Sequence, residues 1–283
     1  MKRIYLDEPI AEQYLGAILA LGNFDGFHLG HQAVVGEAVR WARSTGAPCI
    51  VATFDPHPVR YFSPGIEPFH LTTLDQRQEL LEAAGADAML IFRFNERMAS
   101  VPADNWVERV VARRLAARGV VTGKDFNFGK DRGGDITLLN MLGRQLGIAV
   151  RSISAVYDQG VRVSSSRIRK AIQSGDCPTA TRLLTRPYTL RGRTRSCDRS
   201  SHTLGIRTTK IELGSYMRPL PGKYVASVAF GNTRIFPGIA DFPPQSATPS
   251  GHDEFTLFLR DFPGSLLGEE VDIRIVSRRM VEI

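Results

Sequence analysis

Hydrophobic and polar positions alternate with two different periods along this chain, and the change between them divides it. The apolar run Ala17–Ala20, closed by Leu21-Gly22, predicts a buried strand, and HQAVVGEAVRWARSTG (31–46) predicts a helix ended by Gly46. CIVATFD (49–55) reads as the next strand. TLDQRQELLEAAG (73–85) reads as a helix opened by a capping box of Thr73 and Gln76. ADAMLIFRF (86–94) then predicts a strand, NWVERVVARRLAARG (105–119) a helix, and VVTGKDF (120–126) a strand. ITLLNMLGRQLG (136–147) follows as a helix and AVRSISAVY (149–157) as a last strand. Strands alternating with helices from about Gly16 to Tyr157 predict an α/β domain with a parallel sheet covered on both faces. In such sheets ligands bind where strands hand over to helices at their carboxyl ends.

Helical periodicity stops near Leu184. YTLRGRTRS, KYVASVAF, TRIFPGI, EFTLFLRDF and EVDIRIVSRR are short and rich in β-branched and aromatic residues, and Gly231-Asn232 is a favoured hairpin turn. These predict a small antiparallel barrel or sandwich. The boundary near Arg186-Pro187 gives domains 1–185 and 186–283.

Composition changes this picture little. Of 283 residues, 43% are hydrophobic and 23% charged, as in ordinary globular proteins, and no apolar run reaches the roughly 18 residues of a membrane span. The opening MKRIYLDEP lacks the apolar stretch of a leader and is read as mature sequence. Cys49, Cys177 and Cys197 form no metal-ligand spacing, which points to reduced thiols in a cytoplasm. The net charge of +7 suits anionic partners. Its spread along the chain favours small phosphorylated substrates over nucleic acid.

Candidate chemistry gathers at the expected strand ends. In LGNFDGFHLGH, Gly22, Gly26 and Gly30 allow a tight turn, and His28 and His31 stand where a helix begins. Free amides and the dipole of a helix N-terminus favour anions, and imidazoles there can stabilise charge developing on phosphorus. Neither histidine is expected in the core. Val163-Ser-Ser-Ser-Arg-Ile-Arg169 reads as a second cradle, with Ser164, Ser165 and Ser166 at a helix start beside Arg167. Thr53-Phe-Asp-Pro-His-Pro58 offers His57 on a proline-stiffened loop, and Gly123-Lys-Asp-Phe-Asn-Phe-Gly129 offers Asp125 between strand and aromatics.

GNFDGFHLGHQ, TFDPHP, GKDFNFGKDRGGD and VSSSRIRKAIQSGD resemble, in order, the motifs of bacterial bifunctional riboflavin kinase/FAD synthetases. The resemblance covers nearly all of residues 15–185. It implies a Rossmann-like nucleotidyltransferase domain of the HxGH type that joins FMN to the AMP part of ATP with Mg²⁺ assistance, releasing pyrophosphate. On it, His28 and His31 contact ATP phosphates within the turn Gly22, Asn23, Phe24, Asp25, Gly26 and Gly30. Ser164, Ser165 and Arg167 hold the distal phosphates, with Ser166 beside them. Asp125, Phe126 and Phe128 line the substrate cleft, and Pro56, His57 and Pro58 belong to the flavin side. No side chain is assigned to a metal.

The second half is similar to the family's riboflavin kinase barrel at its entry, LLTRPYTLRGRTRS, and its close, LGEEVDIRIVSRR. Between them its chemistry departs. SCDRSSHTLGIRTTK stands where the family has a glycine-rich loop ending in LGFPTAN: Thr208 survives and Lys210 replaces the asparagine. Laying FTLFLRDF over the family's base-bearing strand puts Thr256 at the glutamate, with Glu254 two residues earlier on the same face. FPGIADFPPQ lacks the usual asparagine-containing turn. The expectation is a barrel without kinase activity that serves packing, flavin binding or regulation. Other readings stay open: a bifunctional enzyme using Glu254, an adenylyltransferase for a different phosphorylated substrate, and a flavin- or nucleotide-binding regulator.

Overall fold

Strands without a polar face can be buried only between two layers, and that is how the first part of the chain is arranged. The computed structural model describes residues 1–197, 205–231, 234–244, 253–260, 262–263 and 266–279. Two units emerge: residues 1–67 with 74–163, and residues 68–73 with 164–283.

The first unit runs β1 (Lys2–Tyr5), β2 (Ile18–Leu21), α1 (Leu29–Thr45), β3 (Cys49–Asp55), α2 (Pro58–Phe62), α3 (Leu74–Ala83), β4 (Ala88–Arg93), α4 (Glu96–Ala99), α5 (Ala103–Trp106), β5 (Gly119–Gly123), α6 (Ile136–Leu146), β6 (Ala149–Ile153), β7 (Tyr157–Asp158) and β8 (Val161–Arg162). The first six strands form one sheet in the order β1-β4-β3-β2-β5-β6, parallel throughout. Alternation splits its core in two. Leu19, Ile50, Leu90 and Val120 face Trp106 and Leu139 on one side. Ile18, Val51, Met89 and Val121 face Val35 and Trp41 on the other. The chain winds outward from β2 to β4 and then returns to β2's other edge with β5, so the strand order reverses between β2 and β5. A crevice at such a reversal is where doubly wound sheets bind ligands.

One strand is added and two local expectations are revised here. β1 is an added parallel edge strand paired with β4. The helix expected over 105–119 is α5 followed by a π-helical stretch, Val107–Arg114, in which the Leu115 N–H reaches back to the Val110 carbonyl at 3.1 Å. The strand expected over 149–157 ends at Ile153, and Tyr157–Asp158 instead pairs with Val161–Arg162 as a hairpin.

The second unit holds α7 (Ser165–Gln173), α8 (Cys177–Leu184) and six antiparallel strands: β9 (Tyr188–Cys197), β10 (Ile206–Glu212), β11 (Gly222–Phe230), β12 (Arg234–Phe242), β13 (Glu254–Arg260) and β14 (Glu270–Arg278). They close into a barrel in the order β10-β13-β12-β11-β14-β9, which leaves no open edge. Inward-facing Ile211, Val228, Phe242, Leu257, Leu259 and Ile273 fill it. Residues 68–73 join this unit: His70 bridges to Tyr216, its N–H donating to the Ser215 carbonyl at 2.9 Å. The units divide after Val163 because α7 and α8 pack with the barrel, whereas the boundary at 185/186 follows the change from helical to strand periodicity. Within IRTTK, read from sequence as part of a loop, Ile206–Lys210 lies in β10, the second barrel strand in chain order. Asn232 of the expected hairpin turn, residues 198–204 and Gln245 of FPGIADFPPQ lie outside the described residues. Among the described residues no helix is long and apolar enough to cross a membrane.

Candidate active site

β2 delivers its carboxyl end into the turn 22–28, and the two neighbouring strands hold that exit. Thr122 of β5 donates its hydroxyl to the Leu21 carbonyl at 3.2 Å, and Thr53 of β3 donates to the Asn23 carbonyl at 2.8 Å. The turn is tight. Phe24 (φ 50°) and Phe27 (φ 42°) adopt positive φ, as does Gly26 (φ 84°), a conformation costly for side-chain-bearing residues and free for glycine. Both phenylalanine rings are buried in the core, so Phe24 supports the turn from below, lying over Gly22.

His28 is the N-cap of α1. Its Nδ1 accepts the N–H of Gly30 at 3.1 Å and of His31 at 3.3 Å, the role usually filled by Ser, Thr, Asp or Asn. An accepting nitrogen carries no hydrogen, so the hydrogen-bond partners assign the neutral ring's N–H to Nε2. Two amides expected to be free for an anion are therefore engaged by the imidazole, which leaves the helix dipole and the outer edge of the rings. His28 is only 5% exposed, which corrects the expectation that it lies outside the interior; His31 is half-buried. The rings of His28 and His31 stack at 3.7 Å and 16°, and Phe24 meets His31 edge-on at 5.2 Å. Gly30 makes room: a Cβ there would stand 3.2 Å from His28 Cε1.

Asp25 lies beneath this turn, 1% exposed, with Arg77 of α3 beside it. Arg77 Nη2 is 3.6 Å from Asp25 Oδ1, and Nη1 donates to the Thr53 hydroxyl at 3.1 Å. Sequence reasoning missed Arg77 and Thr53. Leu74, Arg77 and Leu81 share one face of α3 at i, i+3 and i+7, and a cation on that apolar stripe was the available signal.

After β3, Pro56, His57 and Pro58 lead into α2. His57 repeats the capping device, its Nδ1 accepting the Val59 N–H at 3.2 Å, with Pro58 in the first turn. Around this loop the structure adds a chain of rings the sequence reading did not single out. Phe54 meets Phe94 at 5.8 Å, Phe94 meets Tyr61 at 5.3 Å and Phe62 at 5.7 Å, and Phe62 is 66% exposed. An exposed phenylalanine backed edge-on by packed rings offers one apolar ring face.

Asp125 follows β5 and is exposed, ion-paired with Arg162 of β8. Phe126 and Phe128 stack at 5.7 Å, but Phe128 is buried against Trp106 at 5.3 Å. Phe128 is therefore core, and Phe126 is half-buried beside it.

The remaining candidates belong to the second unit. Ser164 caps α7, its Oγ accepting the Arg167 N–H at 3.2 Å, and Ser165 and Ser166 open the first turn. On the outer face of the barrel, Lys210 stands opposite Thr256, Glu212 opposite Glu254, and Thr208 opposite Phe258. Lys210 Nζ lies 3.8 Å from Glu254 Oε2, and Arg195 pairs with both Glu212 and Glu254, the latter at 3.5 Å. Two cations thus face the one carboxylate nearest Thr256 on β13.

Residues 10–167 match the FAD synthetase family model and residues 184–281 the riboflavin kinase model. A bifunctional riboflavin kinase/FMN adenylyltransferase of Pseudomonas fluorescens is 32% identical over 262 residues, covering 92% of this chain and 84% of that one. Its namesake in Bacillus subtilis (strain 168) is 32% identical over 247 residues, 85% and 77% of the two chains. That of Escherichia coli (strain K12) is 29% identical over 266 residues, 94% and 84%. Among solved structures, one titled a macrolide-efflux protein from Streptococcus pneumoniae superposes with TM-score 0.86 at 25% identity, covering all of this chain and 93% of that one.

Proposed function

The chain belongs to the FAD synthetase family of bifunctional riboflavin kinase/FMN adenylyltransferase relatives, and from that premise we propose how its residues divide the work. The first unit transfers AMP from ATP to FMN and releases pyrophosphate. His28 and His31 receive the ATP phosphates at the switch between β2 and β5. His28 offers its Nε2 hydrogen to a phosphate oxygen while Nδ1 stays fixed by the helix it caps, so the donor is oriented before substrate arrives. The exposed ring of Phe62, with Tyr61 and Phe94 behind it, takes the flavin plane beside Pro56, His57 and Pro58. Asp125 and Arg162 line the cleft, where Arg162 can exchange the carboxylate for a substrate phosphate. Ser164, Ser165, Ser166 and Arg167, at the start of α7 in the second unit, are phosphate ligands in the same reading.

An FMN phosphate oxygen attacks the α-phosphorus in line and pyrophosphate leaves, so positioning and charge stabilisation supply the catalysis. Family members use ATP with a divalent cation. Among the described residues no cluster of three His, Cys, Asp or Glu side chains could hold one unaided, and we assign Mg²⁺ to the ATP phosphates, where it offsets repulsion between the two anions. ATP and FMN as substrates place the reaction in the cytoplasm.

The barrel, in this reading, does no phosphoryl transfer and retains at most flavin binding. The observation that carries this is the pairing of Lys210 with Thr256 and the ion pairs that occupy Glu254. A cation stands where the resemblance places a metal-holding asparagine, and a hydroxyl stands where it places the base. Incubation with ATP, Mg²⁺ and either FMN or riboflavin tests the whole reading. FAD from FMN, with no FMN from riboflavin, is expected. FMN formation would establish the bifunctional alternative, and lack of FAD with turnover of another phosphomonoester would establish a different acceptor.

A further inference from the structure

We propose that Arg77 is a positioning residue for adenylyl transfer: from beneath the sheet's switch point it holds the histidine turn in its reactive shape. This rests on the reading of that turn given above. The physical problem is Phe24, a bulky residue at φ 50°. Such a conformation persists only where its surroundings over-determine it. Its two neighbours are both anchored, and both anchors converge on one guanidinium. On the amino side, the Asn23 carbonyl accepts from Thr53 Oγ1 at 2.8 Å, and that oxygen in turn accepts from Arg77 Nη1 at 3.1 Å. On the carboxyl side, Asp25 Oδ1 lies 3.6 Å from Arg77 Nη2.

From Phe24 the restraint passes upward. Its ring meets His31 edge-on, and His31 stacks on His28, whose Nδ1 is tied to the start of α1. Asp25 and Arg77 are 1% and 3% exposed at the side chain, so the pair is sheltered from solvent and from any direct meeting with substrate at the ring edges. A planar fork with two donors aimed at two different elements, the turn and β3, suits this task better than a single charge. Displacement of the turn would act on the transition state, because ångström-scale misplacement of a stabilising group costs rate rather than ground-state binding.

The test compares R77M and R77K with the wild type in FMN-dependent FAD formation and in the ¹H–¹⁵N imidazole spectrum of His28. R77M is expected to lose about 100-fold in kcat. Its KM for ATP should stay within about threefold, and the His28 Nδ1 and Nε2 signals should shift. R77K, which keeps the charge facing Asp25 but loses the second donor to Thr53, should recover only part of the rate. Should R77M fail to fold, D25N/R77M removes the uncompensated charge and is expected to fold with the same low kcat and shifted imidazole signals. A folded variant lacking Arg77 with wild-type kcat overturns the proposal, as does a fall confined to KM. A wild type that makes no FAD refutes the functional reading instead. The imidazole spectrum then decides alone: shifted signals support the role of Arg77 and unchanged signals overturn it.

Discussion

The turn after β2 and the outer face of β10 and β13 arrange their polar groups differently. At the turn the polar groups shape the backbone: His28 caps α1 with Nδ1, and Thr53 and Thr122 secure the strand exit. On the barrel face the polar groups consume one another. Arg195, Lys210, Glu212 and Glu254 form a closed set of opposite charges. The barrel persists all the same, because its closure depends on inward-facing residues such as Ile211, Leu257 and Leu259 and on backbone register. A strand's two faces answer to different constraints, so chemistry can leave one while the other keeps the fold. Matching a family model over residues 184–281 therefore identifies the barrel's architecture and leaves its activity to its outer residues.

Breaking the first member of this comparison should give the largest effects. H31A and H28N are each expected to lower FAD formation by about 10²–10³-fold, the usual loss for one preorganised donor at a transition state. H28A should lose as much and also about 1 kcal/mol of stability, because it removes the cap of α1 while asparagine retains one. Thermal unfolding of the two variants separates the roles. D125N, which removes a cleft-lining charge and leaves Arg162 unheld before substrate arrives, is expected to cost about tenfold in kcat/KM, roughly 1.4 kcal/mol.

On the barrel the same kind of change should do little. E254Q is expected to leave FAD formation within about twofold and to change stability by less than about 1 kcal/mol, since its partners Arg195 and Lys210 are half exposed. The smallest effect concerns the thiols. Burial pushes the Cys49 thiol up to about 12, with Asp87 adding to the shift, and raises Cys177 as well. A raised thiol pKa keeps the reactive thiolate scarce at pH 8, so both should resist iodoacetamide in the native protein and react on denaturation, as read by mass spectrometry.

How much of this was legible depended on whether a signal was local. β2, β3, β4 and β5 are continuous apolar runs because both their faces are covered, and α1 announced its own end with Gly46. β1 escaped notice because KRIY is a short edge strand with one buried residue. β10 did so because IRTTKIE carries polar side chains on its outer face. The histidines were legible as a motif, but their division of labour was not: only the cap geometry shows that His28 Nδ1 is engaged. Arg77 meets Asp25 across 52 positions of sequence (77 − 25), and the cluster of rings around Phe62 is assembled from β3, α2 and the residue after β4. Such juxtapositions exist only once strand order is known. The pairing of Lys210 with Thr256 was half legible: each substitution could be read, but their direct opposition needed the register.

The measurement that bears most directly on the contrast between the two sites is a paired assay of the full chain with ATP and Mg²⁺, supplied in one reaction with FMN and in the other with riboflavin, with flavins separated by chromatography. FAD accumulating from FMN while riboflavin stays unconverted is the predicted result. Conversion of riboflavin to FMN at a rate comparable to FAD formation would contradict it.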